Sequence, residues 1–144
     1  MTAPDLIRFV DAQGPIFNTV LEELGAGCKK THWMWFVFPQ LIGLGKSPMS
    51  QYFGIKDLGQ AERYISDPLL GKRLLDNISL VASHKRKSAL EIFGSPDDDK
   101  FRSCITLFRE VRKDSTNSVF FTSVLEQFYE GWPDEQTLKL LGHC

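Results

Sequence analysis

Residues 31–40 read THWMWFVFPQ and place two tryptophans and two phenylalanines within six positions. A segment that is apolar on every side has to lie at the centre of the fold. Thr31 as a cap and Pro39 as a stop favour a helix between them, and a strand is the alternative. We expect the segment to pack mainly in the core, while the polar side chains at its two ends, His32 and Gln40, need partners.

Apolar residues in the rest of the chain recur at helical spacing between stop signals. Ser47, Asp57 and Ser88 are capping residues that mark helix starts. The clearest helix follows Ser95, and its core stripe is Phe101, Cys104, Ile105, Phe108 and Val111. No hairpin signal and no period-two run appears. The sequence therefore predicts an all-α fold, a single compact domain over residues 1–144 with about eight short helices.

Charge and cysteine usage exclude several classes of protein. The 17 Lys and Arg residues face 18 Asp and Glu residues, so the formal net charge is −1 and a nucleic-acid partner is disfavoured. The three cysteines form no CxxC pair and nothing near the start resembles a signal peptide, so we expect reduced thiols and a cytoplasmic location. The longest apolar run is far too short to span a membrane, and no membrane association is expected.

Three stretches of the chain resemble one known family. They are HWMWFVFPQLIGLGKSPMS at 32–50, FGSPDDDKFRSCITLF at 93–108 and TLKLLG at 137–142. Together they resemble the bacterial and fungal domain-of-unknown-function family 1810, over nearly the whole chain. The resemblance implies a mostly helical single domain and supplies no activity.

Two details of that family bear on this chain. Some members carry the label "calpastatin", but calpain inhibitors of that name are flexible repeats, and this chain has no repeats. Family members often have arginine between Gly27 and His32, where this chain has Lys29 and Lys30. Lysine does not make the two-pronged contacts to an anion that arginine makes, so anion binding in this segment would be weaker.

Candidate binding residues fall in three places: the aromatic segment, the glycine-rich turn after it, and the helix after Ser95. Aromatic faces stack planar groups, a glycine-rich turn before a helix exposes amides to an anion, and a guanidinium holds phosphate or carboxylate. The candidates are His32, Trp33, Trp35, Gln40, Gly45, Lys46, Ser47, Arg102 and Ser103. The alternatives are that the aromatic residues only fill the core and that Arg102 pairs with Asp98 in solvent.

These residues favour a domain that binds a small anionic metabolite, phosphate- or nucleotide-like, in an aromatic-lined pocket. Whether the chain is an enzyme is left open. The alternative is a protein–protein interaction module without catalytic activity, in which an exposed apolar patch or the basic loop 84–87 meets a protein partner. No cofactor and no metal are expected, since the three acids at 97–99 complement a helix dipole and lack a histidine partner.

Overall fold

The computed structural model describes residues 2–111 and 116–142, and helices make up most of these ranges. Helices α1 to α10 are Ile7–Gln13, Phe17–Ala26, Met34–Val37, Pro48–Tyr52, Leu58–Ser66, Leu70–Ala82, Ala89–Phe93, Asp97–Val111, Thr116–Tyr129 and Glu135–Leu140. Short 3-10 turns, Pro4–Leu6 and Gly14–Ile16, lead into α1 and α2. In the described ranges, extended pairing is limited to one isolated bridge. The predicted all-α fold is confirmed, with somewhat more helices than expected.

Helix α8 is the central element, and it packs against α5, α7, α9 and α10. Four members of its predicted stripe, Phe101, Cys104, Ile105 and Phe108, are buried, while Val111 is only partly buried. Their neighbours are mainly aromatic, and the buried apolar side chains join into one continuous cluster. The helical period therefore predicted the face of α8 that carries the core.

The predicted caps are also confirmed. Ser47 and Asp57 each accept a hydrogen bond from the backbone amide three residues further on, at the starts of α4 and α5. Ser88 and Glu91 form the expected reciprocal capping box at the start of α7. Local side-chain chemistry therefore fixes where these short helices begin.

The expected helix between Thr31 and Pro39 is present, but it is shorter than predicted. Helix α3 is a single turn, Met34–Val37, and its N-cap residue Trp33 makes no side-chain capping bond. The Thr31 side chain is engaged elsewhere, with the carboxylate of Glu23. Competition from that carboxylate keeps the first residues of the segment out of the helix.

The basic loop 84–87 lies against the C-terminal end of α2. The His84 ring nitrogen Nε2 is 2.6 Å from the Leu24 carbonyl oxygen, and the Lys87 ammonium donates to the Gly27 carbonyl at 3.1 Å. Gly27 itself adopts a left-handed conformation with φ of 69°, which ends the helix. The Lys87 ammonium at this end complements the helix dipole, so part of the basic loop has a structural role.

Two glycines that differ in their surroundings test the packing. A Cβ at Gly71, in the first turn of α6, would lie 2.1 Å from the Ile65 carbonyl oxygen, whereas one at Gly14 would meet nothing within 4 Å. We expect Gly71→Ala to lower the free energy of unfolding by about 1–3 kcal/mol, because the backbone has to shift. Gly14→Ala, at a helical backbone position, should instead raise it by about 0.4–1 kcal/mol. Urea unfolding followed by circular dichroism measures both, and equal stability of the two variants would contradict the packing described.

Candidate functional site

A buried carboxylate, that of Glu23 near the end of α2, organises the aromatic segment. Its Oε1 accepts the Lys30 amide at 2.8 Å, the Thr31 amide at 3.1 Å and the Trp33 indole N–H at 3.0 Å. Its Oε2 accepts the Thr31 hydroxyl at 2.7 Å. Burial raises the pKa of Glu23, but these hydrogen bonds outweigh it and bring the pKa down to about 2. The ionised carboxylate thus fixes the path of residues 30–33.

Lys29 joins the same loop to the start of α8. Its ammonium lies 2.8 Å from the Asp97 carboxylate, donates to the Thr31 carbonyl at 2.6 Å, and sits 5.0 Å from the centre of the Trp33 ring. The Lys29 side chain is only 7% exposed, and Trp33 is 1% exposed. The ring of Trp33 is therefore enclosed and does not offer a face to a ligand.

A backbone bridge fixes the other end of the aromatic segment. The Ile55 amide donates to the Gln40 carbonyl at 2.9 Å, and the Ile42 amide donates to the Ile55 carbonyl at 2.8 Å. The two segments approach this closely because Gly54 has no side chain. A Cβ at Gly54 would lie 2.7 Å from the Ile42 side chain. The bridge holds the Gln40 backbone in place and leaves its side-chain amide beside α4.

Between α3, α4 and the first turn of α8 lies a cleft. The cleft is lined by Met34, Trp35, Phe38, Gln40, Ser50, Phe53 and Lys100. With its open mouth it occupies about 230 Å³, and the part enclosed by protein has room for about one water molecule. Pockets for drug-sized ligands are about 300–1,000 Å³, so this cleft suits a single functional group with a small attachment.

Polar groups of three different kinds converge on this cleft. The Lys100 ammonium lies 5.4 Å from the centre of the Trp35 ring and 3.8 Å from the Asp97 carboxylate, and its side chain is 24% exposed. The Ser50 hydroxyl accepts a hydrogen bond from the Ser47 hydroxyl at 2.9 Å, so its own proton is free to be donated. The side-chain amide of Gln40 makes no hydrogen bond within the described ranges. The cleft thus offers one cation and two neutral donors beside an indole ring.

Gly45 lets the turn after Gln40 pack against α4. A Cβ at Gly45 would lie 2.4 Å from the Ser50 hydroxyl oxygen and 3.5 Å from the Gln40 amide nitrogen. Only glycine therefore leaves Ser50 in its present position at the back of the cleft. Gly45 and Ser47 act by placing Ser50 and do not line the cleft themselves.

The structure brings only part of the predicted site together. Trp35 and Gln40 line the cleft, and Gly45 and Ser47 support it through Ser50. The others lie outside its lining: His32 and Lys46 are exposed, and Trp33 is buried under Lys29.

The two predicted residues of α8 lie away from the cleft. The Arg102 Nε donates to the Trp132 carbonyl at 2.9 Å, and its guanidinium stacks 5.3 Å from the centre of the Tyr129 ring. The Ser103 hydroxyl donates to the Asp99 carbonyl at 3.1 Å within the helix. Arg102 thus lies against Tyr129 and the chain after α9. Both expectations for it, that it faces the aromatic segment and that it pairs with Asp98, are wrong.

Sequence reasoning missed Ser50, Lys100 and Glu23. Lys100 and Arg102 flank the buried Phe101 on opposite sides, and helical period alone does not tell which neighbour each one faces. Ser50 could have been found from Gly45, which precedes the cap residue Ser47 by two positions. Glu23 could have been found from its position beside the buried Leu24. An acidic residue at a buried helical position requires donors, which is the signal that points to the loop after α2.

Metal binding and membrane crossing find no support in the described residues. No three or more His, Cys, Asp or Glu side chains in 2–111 and 116–142 come together as a metal site. Over the same part of the chain, none of the helices combines the length and the apolar character that a membrane crossing requires.

Comparison with known proteins gives a family and a solved fold. Residues 3–141 match the family described as "Protein of unknown function (DUF1810)". The crystal structure of the conserved hypothetical protein Rv1873 from Mycobacterium tuberculosis, at 1.38 Å, is similar with a TM-score of 0.91 and 45% identity, covering 97% of this chain and 98% of that chain. No curated protein matches the chain.

The hydrogen bonds to Glu23 predict a dependence of stability on acid. Because its pKa falls from 4.5 in the unfolded chain to about 2 in the fold, its contribution is complete above about pH 5 and is lost as the pH falls towards 2. We expect Glu23→Gln to lower the free energy of unfolding at pH 7 by on the order of 2 kcal/mol and to flatten its decline below pH 5.

The exposed neighbour Glu22 supplies the matched control, since Glu22→Gln removes the same charge from the same helix. Urea unfolding at a series of pH values compares the two variants with the wild type. If Glu23→Gln and Glu22→Gln have the same stability and the same pH dependence, Glu23 does not hold the loop.

Proposed function

The chain belongs to the DUF1810 family of proteins of unknown function, and from its structure we propose that it binds a small anionic ligand in the cleft between α3, α4 and α8. Lys100 supplies the positive charge, Gln40 and Ser50 donate hydrogen bonds, and Trp35 forms a wall against which a flat group packs. The cation and the two donors suit the anionic group of such a ligand, and the indole ring suits an apolar or planar group attached to it.

The observation that carries this proposal is the convergence of Lys100, Gln40 and Ser50 on one narrow cleft. They come from three separate elements, and the Gln40 amide and the Ser50 proton keep hydrogen-bonding capacity that the described chain does not use. Convergent polar groups in an otherwise apolar cleft are typical of a site for a small molecule. Met34, Phe38 and Phe53 supply the apolar part here.

The dimensions of the cleft favour a small ligand over a nucleotide. Its volume of about 230 Å³ includes the open mouth, and Trp35 is its one tryptophan wall, because Trp33 is enclosed. Lys100 already lies over the Trp35 ring. The Ser50 hydroxyl is paired with another serine and not with a base, so we assign binding to this cleft and no reaction.

The other function considered from the sequence was a protein-interaction module. Exposed apolar side chains, Ile42 and Leu140 among them, are compatible with it. The groove that these two line also contains Lys56 and Asp57, one charge of each sign, which favour neither an acidic nor a basic partner. We therefore prefer the small-ligand proposal. A cytoplasmic location stays a prediction, and the free thiols of Cys28 and Cys104 agree with it.

Removing the charge of Lys100 tests this proposal. Benzoate and phenyl phosphate serve as probes, because each carries an anion on a flat ring, and two-dimensional NMR follows the Trp35 indole and Gln40 side-chain amide signals. We expect at least one probe to shift both signals, and Lys100→Met to weaken its binding about tenfold or more, the effect of losing one charge-assisted hydrogen bond.

Lys139→Met is the matched control, since it removes a lysine charge from an exposed position in α10, outside the cleft lining. Methionine also keeps an apolar stem over the Trp35 ring, so the comparison isolates the charge. Probes that leave both signals unmoved, or that bind Lys100→Met as well as the wild type, would refute the proposal.

A further inference from the structure

We propose that the anion recognised by this cleft is a carboxylate, and that the cleft selects a planar monoanion over a phosphate. This inference rests on the proposed function and narrows its ligand class. It follows from the charge around Lys100, the kind of donors in the cleft and the shape of the space between them.

The charge around the cleft matches a single negative charge. Lys29 and Lys100 both lie near the Asp97 carboxylate, at 2.8 Å and 3.8 Å. The Lys29 ammonium is bonded to the Asp97 carboxylate and the Thr31 carbonyl, and its side chain is buried. The longer separation of Lys100 from Asp97 leaves its ammonium protons available to a ligand. One available cation next to one carboxylate favours a monoanion and opposes a dianion such as a phosphate monoester.

The donors in the cleft are also not of the kind that phosphate sites use. Sites for phosphate typically use a guanidinium fork or several backbone amides at a helix start. Here Arg102, the nearest arginine along α8, is turned to the Trp132 carbonyl. At the start of α4, the Ser50 amide already donates to the Ser47 hydroxyl, and α4 has only five residues. The remaining donors are the Lys100 ammonium, the Gln40 amide and the Ser50 hydroxyl.

The shape of the cleft completes the argument. Its enclosed part has room for about one water-sized group, so a single ligand oxygen fits into it. The second oxygen of a carboxylate then lies in the same plane towards Lys100, and the attached group packs on Trp35. A tetrahedral phosphate needs more room than a planar carboxylate, and most of the cleft lining, Phe38 and Phe53 included, is apolar and offers no donor to an additional oxygen.

Three probes with the same ring separate these possibilities: benzoate, benzamide and phenyl phosphate. The dissociation constant of each is measured by NMR titration of the wild-type protein at pH 7.5, from the shifts of the Trp35 and Gln40 side-chain signals. We expect benzoate to bind at least tenfold more tightly than either of the others. Lys100→Met should remove that preference, and Lys139→Met should leave it unchanged.

The possible results distinguish failure of the carboxylate inference from failure of the anion-binding proposal. If phenyl phosphate binds as tightly as benzoate or more tightly, the carboxylate inference is wrong and the anion-binding cleft stands. If benzamide binds as tightly as benzoate, charge is not recognised and both proposals fail. If no probe moves the two signals, the proposed function fails and this inference fails with it.

Discussion

The hydrogen bonds to the buried carboxylate of Glu23 fix the path of the aromatic segment and, through it, the cleft. A carboxylate removed from water is costly unless donors surround it, and here the donors come from Lys30, Thr31 and Trp33. The chain after α2 is thereby forced into a non-helical path. This path delivers Trp33 to the core and starts α3 at Met34, so that Trp35 reaches the edge of the cleft.

The cleft is built from short elements that are fixed from both sides. On one side Lys29 and Asp97 connect the loop after α2 to α8, the central helix of the fold. On the other side the bridge between Leu41 and Ile55 holds the segment that follows Gln40. These constraints fix the backbone on both sides of the cleft, and for the proposed ligand such pre-organisation lowers the entropic cost of binding.

Much of the fold was predictable from local chemistry, because helical period and capping residues act within a few positions. The stripe of α8 and the caps at Ser47, Asp57 and Ser88 follow from such local rules. The path of residues 31–33 did not follow from them, because a side chain from the preceding helix competes with the local cap.

The same distinction explains the candidate site. Trp35 and Gln40 stand out because an aromatic segment with polar ends is conspicuous in any sequence. The sequence points to Arg102 because a guanidinium suits anions, and it gives no reason to single out Lys100. The neighbours of α8 decide which side chain faces α3. Those neighbours are set by long-range packing, and the spacing of residues along one helix does not contain that information.

The most direct test of the role of Glu23 is to follow the three indole N–H signals by NMR as the pH is lowered from 7 towards 2. Trp33 is bonded to Glu23, Trp35 lies at the cleft, and the exposed Trp132 serves as an internal reference. We expect the Trp33 signal to change only as the pH approaches about 2, and the Trp35 signal to change in the same step while the Trp132 signal does not. If the Trp33 signal changes near the ordinary glutamate pKa of 4.5, or the Trp35 signal does not change with it, Glu23 does not position the aromatic segment.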